Sequence, residues 1–182
     1  MTRFFDIRES CVPLHRYTSK AFPAYRFIPG ENPHPTENPA GHSYSKTAER
    51  KMIFDPELWS EDQGYLYGVD LYNNGYWWEA HEAFEERWRV VDKGNIGRDY
   101  LQGLIKISGA FIKWHLRKLE GSNILYKEGI AHLLKVMEKQ ECYMGLHLSK
   151  YIVKLEDYFT VITRNSVTAL LCVYPYILLN ED

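Results

Sequence analysis

From Phe54 onward, apolar residues recur three and four positions apart, which is the spacing of α-helices with one buried face. No segments alternate apolar and polar residues in pairs as half-buried strands do, and no repeat stands out. The pattern is interrupted at turn and capping residues: Asp55-Pro56, Asn74-Gly75, Asp92 to Gly97, Gly121-Ser122 and Gly145. It therefore predicts a short helical turn at 55–62, and helices within 64–75, 76–92, 98–121, 122–145 and 149–165. The expected fold is all-α, a compact bundle of about five to six mostly antiparallel helices.

The first 50 residues differ in kind from this body. Within 22–44 the chain holds five prolines and two glycines, which leave no helical period. A disordered tail is one interpretation, but aromatic residues recur in the segment, and flexible linkers usually lack them. We expect residues 1–50 to form an extended arm that packs on a helical domain of residues 51–182.

The second helix carries a mixed cluster, "WWEAHEAFEERW", within 77–88. At about 100° per residue, His81 and Glu85 stack one turn apart beside an apolar stripe that includes Trp77 and Trp88. Glu82 lies at the margin of this face. The other two glutamates of the cluster point away, so we expect them to be solvated; they are Glu79 and Glu86.

The helix that begins near Arg98 is apolar on most sides but has one polar seam. Its members fall within about 40° of Gln102 and are Arg98, Lys106, Gly109 and Lys113. A half-buried carboxylate needs a partner because its dehydration is costly. We therefore expect this seam to face His81 and Glu85 across an internal polar cleft.

The two segments "YNNGYWWEAHEAFEERW" and "QGLIKISGAFIKWH" together resemble the family named domain of unknown function 309. The resemblance covers about residues 65 to 140. The matching positions are Tyr72, Gly75, Glu79, His81, Glu82, Glu85, Trp88, Gln102, Gly103, Leu104 and Ile105. It implies a small all-α protein and supplies no activity. Lys106 stands where the family often has glutamine, and its positive charge argues against a metal site common to the whole family.

Ligand binding, metal binding, acid–base catalysis and a purely structural role all remain open for the cluster. The candidate ligand-binding residues are His81, Glu85, Glu82, Gln102, Lys106 and, from the arm, His34 and His42. The sequence from His81 to Glu85 has the spacing His-Glu-x-x-Glu rather than that of the two-histidine zinc motif, so His81 and Glu85 are only weak metal candidates. Acid–base catalysis would need an activated water, because no serine or cysteine nucleophile stands out. A purely structural polar network explains the same residues.

Composition narrows the classes of partner. The net charge of -2 and the scattered lysines and arginines argue against a nucleic-acid or membrane-surface protein. The most apolar run, 167–179, contains Pro175 and is too short to span a bilayer. Three dispersed cysteines give no disulfide framework, which favours the cytoplasm. Two function classes follow: a protein that binds a small molecule, with enzymatic activity and cofactor undetermined, or a helical interaction module that binds another protein or forms a homodimer.

Overall fold

The computed structural model describes residues 15–44, 54–164 and 174–180. A 3₁₀ helix, Pro56–Glu61, precedes five α-helices and a two-stranded hairpin: α1 (Gln63–Asn73), α2 (Trp77–Val90), α3 (Ile96–His115), α4 (Leu119–Met137), β1 (Cys142–Tyr143), β2 (Leu146–His147) and α5 (Leu148–Arg164). The all-α bundle expected from the sequence is confirmed. Among the described residues, no helix combines the length and the apolar composition that crossing a membrane requires.

Helix α3 is the centre of the bundle and packs on α2 and on α4, while α1 packs on α2. Its buried side chains surround most of its circumference and include Leu101, Leu104, Ile107 and Phe111. This agrees with a sequence that is apolar on nearly all sides. Because a helix buried on most faces leaves little room for polar groups, the polar seam of α3 marks a side where a polar cleft can open.

Helices α3 and α4 approach closely at two facing glycines. A Cβ atom at Gly103 would lie 2.7 Å from Cδ2 of Leu133, and one at Gly129 would lie 2.8 Å from Cδ1 of Ile107. These distances are shorter than van der Waals contact, so neither position has room for a larger side chain. The glycines set the spacing of the two longest helices.

The boundary between α3 and α4 lies earlier than the sequence indicated. Helix α3 ends at His115, and Arg117 reverses the chain with φ of 58°. Helix α4 begins at Leu119, so Ser122 lies inside it and donates its hydroxyl to the carbonyl of Ala110 at 2.8 Å. The expected break at Gly121-Ser122 was wrong because an arginine, not a glycine, takes the left-handed conformation that ends α3.

The end of α4 was also predicted too late. The helix stops at Met137, and β1 and β2 pair as a short antiparallel hairpin before α5. The hairpin turn uses positive φ at Met144 and Gly145. A sequence without an alternating strand pattern gave no sign of two-residue strands, because so short a ladder has no period to detect.

Helix α1 carries two buried polar side chains, which hold the irregular segments at 15–44 and 174–180 against the bundle. The carboxylate of Asp70 accepts the main-chain N–H groups of Tyr17 at 2.8 Å and Thr18 at 2.9 Å. The amide of Asn73 donates to the carbonyl of Ile177 at 2.7 Å and accepts its N–H at 2.8 Å. Each side chain thereby satisfies backbone groups that would otherwise be buried without a partner.

Candidate functional site

A cleft opens between α2 and α3 and is bordered on one side by α4. Its volume is about 250 Å³. We call it the α2–α3 cleft, and its lining residues are His81, Glu85, Trp88, Gln102, Ile105, Lys106, Gly109 and Leu125. Spacings of three and four residues place each helix's contribution on a single face. The cleft thus unites a carboxylate, an imidazole, an amide and an ammonium group beside aromatic and aliphatic walls.

The ring of His81 is oriented by the backbone of α3. Its Nδ1 lies 3.3 Å from the carbonyl oxygen of Ile105. A carbonyl only accepts hydrogen bonds, so this contact requires the proton on Nδ1. In the neutral ring, Nε2 then keeps the lone pair that can accept a proton or bind a metal.

The two charged side chains of the cleft are held by separate partners. Glu85 pairs with Arg89 at 2.9 Å, one turn further along α2. Lys106 pairs with Glu128 of α4 at 2.6 Å. The side chains of Glu85 and Lys106 remain 30% and 29% exposed, so solvent reaches both. Ion pairs at such positions contribute little stability, which leaves both groups available to an entering ligand.

Glu82 joins His81 and Glu85 in a second grouping at the edge of the cleft. One ligand atom from each of the three residues lies within 4.8 Å of the other two. Burial raises the pKa of Glu82, the charge of His81 lowers it and the nearby Glu85 raises it further. A divalent cation is the kind of ligand that would offset this burial of negative charge.

Two members of the expected seam lie outside the cleft. Arg98 stacks over the ring of Trp88 at 3.7 Å and donates to the carbonyl of Val91 at 2.7 Å. The carboxyl end of α2 is the negative end of its dipole, and it attracts the guanidinium. Lys113 likewise does not line the cleft. Only Gln102, Lys106 and Gly109 of the seam do so.

Glu79, expected at the solvated side of α2, is 6% exposed, and that expectation was wrong. Its Oε1 accepts the N–H of Phe27 at 2.8 Å and Nε2–H of His42 at 3.0 Å. The N-terminal arm lies over this face of α2 and removes it from water. Burial raises the pKa of Glu79, whereas these two hydrogen bonds act against the rise. Glu86 is exposed, as expected.

Neither arm histidine lines the cleft. His42 is committed to Glu79, with its side chain 7% exposed. His34 packs edge-on against Phe27 at 5.0 Å and Trp78 at 5.4 Å between ring centroids. Its charge reaches Glu82, whose pKa it lowers. The arm therefore approaches the group formed by His81, Glu82 and Glu85 from outside and does not close the cleft.

Sequence reasoning missed the buried polar residues that hold the terminal segments, Asp70 and Asn73. A signal for Asp70 was present, because a lone acid among apolar residues in "YLYGVDLY" must find a buried partner. Nothing in the sequence, however, pointed to Tyr17 and Thr18 as that partner. Their distance along the chain leaves no local pattern.

Comparison with known proteins bears on the segment that forms the cleft. The model of the family named domain of unknown function (DUF309) matches residues 65–125. This span includes α2, α3 and every residue that lines the cleft. It ends before residue 140, where the resemblance was expected to stop. No curated protein matches the chain.

Proposed function

We propose a function from the geometry of residues 65–125, the segment that matches the model of a family of unknown function. The protein binds a small polar molecule in the α2–α3 cleft. The observation that carries this proposal is the convergence of His81, Glu85, Gln102 and Lys106 on one solvent-accessible space of about 250 Å³. Ligand sites usually combine a concave, partly apolar wall with a few such polar groups.

The lining indicates the class of ligand. Glu85 suits a cationic or donating group, while Gln102 and Lys106 suit an anionic or carbonyl oxygen. Trp88 and Leu125 offer an apolar wall for a short carbon chain. The volume is slightly below the roughly 300 Å³ at which drug-sized sites begin. A molecule of amino-acid size that carries both charges fits this description.

A thermal-shift screen tests the proposal. The probes are the free amino acids and small dicarboxylic acids, each added to the wild type and to Gln102→Ala and His81→Ala. A true ligand at a hundred times its Kd stabilises the native state by about 2.7 kcal/mol, which corresponds to several degrees in Tm. We expect the shift to disappear in both variants and to persist in Glu86→Gln, an exposed control on the same helix. A probe that stabilises all four proteins equally would show that it binds elsewhere.

A divalent cation on His81, Glu82 and Glu85 is the second candidate. It is supported by the proximity of the three ligand atoms and by the orientation of His81, whose Nδ1–H is held by a carbonyl. One imidazole and two carboxylates are ligands that Zn²⁺ and Mn²⁺ accept, and three protein ligands leave positions for water. Such a site could activate that water for hydrolysis.

Isothermal titration with Zn²⁺ and with Mn²⁺ tests the cation. We expect binding with a stoichiometry near one, lost in Glu85→Gln and kept in Glu86→Gln. If Glu85→Gln binds the metal as tightly as the wild type, the three residues are not its ligands. Repeating the amino-acid screen with a chelator present then tests small-molecule binding in the α2–α3 cleft without any bound metal.

An interaction module remains the alternative from another class. The exposed apolar side chains of α4 are Leu119, Ile124 and Leu134. They spread over about 140° of the helix surface rather than forming one stripe. Self-association therefore stays a prediction, checked by sedimentation velocity at several concentrations. A cytoplasmic location stays a prediction as well.

A further inference from the structure

The two charged residues that line the α2–α3 cleft are each paired with a residue that does not line it. Oε2 of Glu85 accepts a hydrogen bond from the guanidinium of Arg89 at 2.9 Å, and Nζ of Lys106 donates to Oε2 of Glu128 at 2.6 Å. Neither Arg89 nor Glu128 belongs to the lining of the cleft. In the free protein, both charges of the cleft are therefore neutralised from its rim.

Both rim partners are more exposed than the cleft residues that they hold. The side chain of Arg89 is 60% exposed and that of Glu128 is 47% exposed. Holding two long side chains in one geometry costs conformational entropy, and water weakens their attraction. An exposed ion pair of this kind therefore changes an equilibrium constant by a factor of at most about five. Each partner can be displaced at small cost by a group that enters the cleft.

Displacement needs only the rotation of side chains. Arg89 lies one turn after Glu85 on α2, and Glu128 lies three residues after Leu125, the residue of α4 that lines the cleft. Residues at such spacings are neighbours on a helix surface. The stem of Lys106 is flexible, so its ammonium group can turn from Glu128 to a carboxylate inside the cleft.

The chemistry of the two rim partners indicates the chemistry of the ligand. In the free protein, a cation satisfies Glu85 and a carboxylate satisfies Lys106. A ligand that displaces both partners without leaving either cleft residue unpaired must carry an ammonium or guanidinium group at one end and a carboxylate at the other. Gln102, one turn before Lys106 in the lining, offers the carboxylate a second donor.

We propose that Arg89 and Glu128 are built-in competitors of a zwitterionic ligand, which must replace Arg89 at Glu85 and Glu128 at Lys106 in order to bind. This rests on the proposed function of the α2–α3 cleft and adds to it two residues outside the lining that set affinity. They lower the affinity for the ligand because their pairs must break first. Removing either competitor should therefore tighten binding of the group that it competes with.

Two probes that each carry one charge test the proposal: sodium acetate and methylammonium chloride. Each is titrated at a constant ionic strength of about 0.15 M, which screens distant charges. Binding is followed by NMR at the side-chain amide of Gln102 and the backbone amide of Glu85. We expect Glu128→Gln to tighten acetate binding about two- to fivefold and to leave methylammonium binding unchanged. Arg89→Gln should do the reverse.

Two controls separate displacement from a general effect of charge. Glu138→Gln removes an exposed carboxylate from the end of the same helix and should not change acetate binding. The double variant Lys106→Gln/Glu128→Gln should lose the gain, because the ammonium group that Glu128→Gln releases is then missing.

Each contrary outcome overturns the proposal. Equal acetate affinity in the wild type and Glu128→Gln, or no saturable response in Glu128→Gln, would mean that the pair only fastens α3 to α4. A gain that persists in the double variant would show that it does not act through Lys106.

Failure of this proposal can be distinguished from failure of the proposed function. An amino acid that binds the wild type, Arg89→Gln and Glu128→Gln equally would leave the cleft as a ligand site and remove the competitors. If no amino acid binds the wild type but Glu128→Gln binds acetate tighter than the wild type does, through Lys106, the competitor role stands without the proposed function.

Discussion

Glu79 should hold the N-terminal arm on the bundle, and replacing it with alanine should release that arm. The substitution removes the acceptor of two hydrogen bonds, from Phe27 N–H at 2.8 Å and from His42 at 3.0 Å. Hydrogen bonds to a charged group contribute about 1.5–3 kcal/mol each. The second carboxylate oxygen, Oε2, is buried without a hydrogen bond, so its removal offsets part of this loss. The net cost is about 2–3 kcal/mol.

Two further variants divide this cost. Glu79→Gln keeps an oxygen for the N–H of Phe27 and loses only the charge. Because burial disfavours that charge, we expect its stability to lie within about 1 kcal/mol of the wild type at neutral pH. Glu86→Ala removes an exposed glutamate from the same helix and should change stability by less than about 0.5 kcal/mol.

The pH dependence follows from the direction of the shift at Glu79. Its carboxyl has an ordinary pKa of 4.5, which burial raises in the folded protein. The folded state therefore holds the proton more tightly than the unfolded chain does. The stability from this group is complete below pH 4.5 and is lost as the pH rises through the folded pKa. Glu79→Gln does not titrate there, so its stability relative to the wild type should increase over this window.

Hydrogen exchange measures the release directly, because the arm can open without unfolding the bundle. A cost of about 2–3 kcal/mol predicts that exchange of the Phe27 amide accelerates roughly 30- to 150-fold in Glu79→Ala. Amides in the middle of α3 should keep their protection. If Phe27 exchanges at the same rate in Glu79→Ala and Glu86→Ala, Glu79 does not hold the arm.

Two other predictions concern the bundle core. Gly103→Ala should destabilise the fold by about 1–3 kcal/mol in urea unfolding, because its Cβ would lie 2.7 Å from Leu133. Gly121→Ala, where the nearest atom would be 3.7 Å away, should be neutral or stabilising by up to about 1 kcal/mol, and equal losses in the two variants would contradict the close approach of α3 and α4. Burial raises the pKa of Tyr65 and Tyr100, so their phenolate absorbance should appear only with alkaline unfolding, and stability should fall as pH rises above 10. Titration of all tyrosines near pH 10 in the folded protein would refute the prediction that burial raises the pKa of Tyr65 and Tyr100.

The helices and the facing of α2 and α3 were predictable because both follow from local period. His81 and Glu85 occupy one face of α2, and Gln102 and Lys106 occupy the only polar side of an otherwise buried α3. Helices α2 and α3 pack with these two polar strips together, around one cleft. The same period could not locate the ion pairs. If only α2 and α3 are considered, Glu85 is expected to pair with Lys106, but Glu85 pairs with Arg89 and Lys106 pairs with Glu128 of α4.

The burial of Glu79 shows what a helical wheel cannot predict. A helical wheel gives the direction of a side chain relative to its neighbours on the helix, and it correctly placed Glu79 opposite His81. Whether that direction meets water depends on what lies over it, and here the cover is an arm without any period, 37 residues away at His42 and 52 at Phe27. An irregular segment carries no repeating pattern that predicts where it docks. Polar groups on the face it covers fix its position together with its own aromatic side chains, such as Phe22 stacked on Tyr76. Asp70 and Glu79 are therefore residues at which substitutions should loosen it.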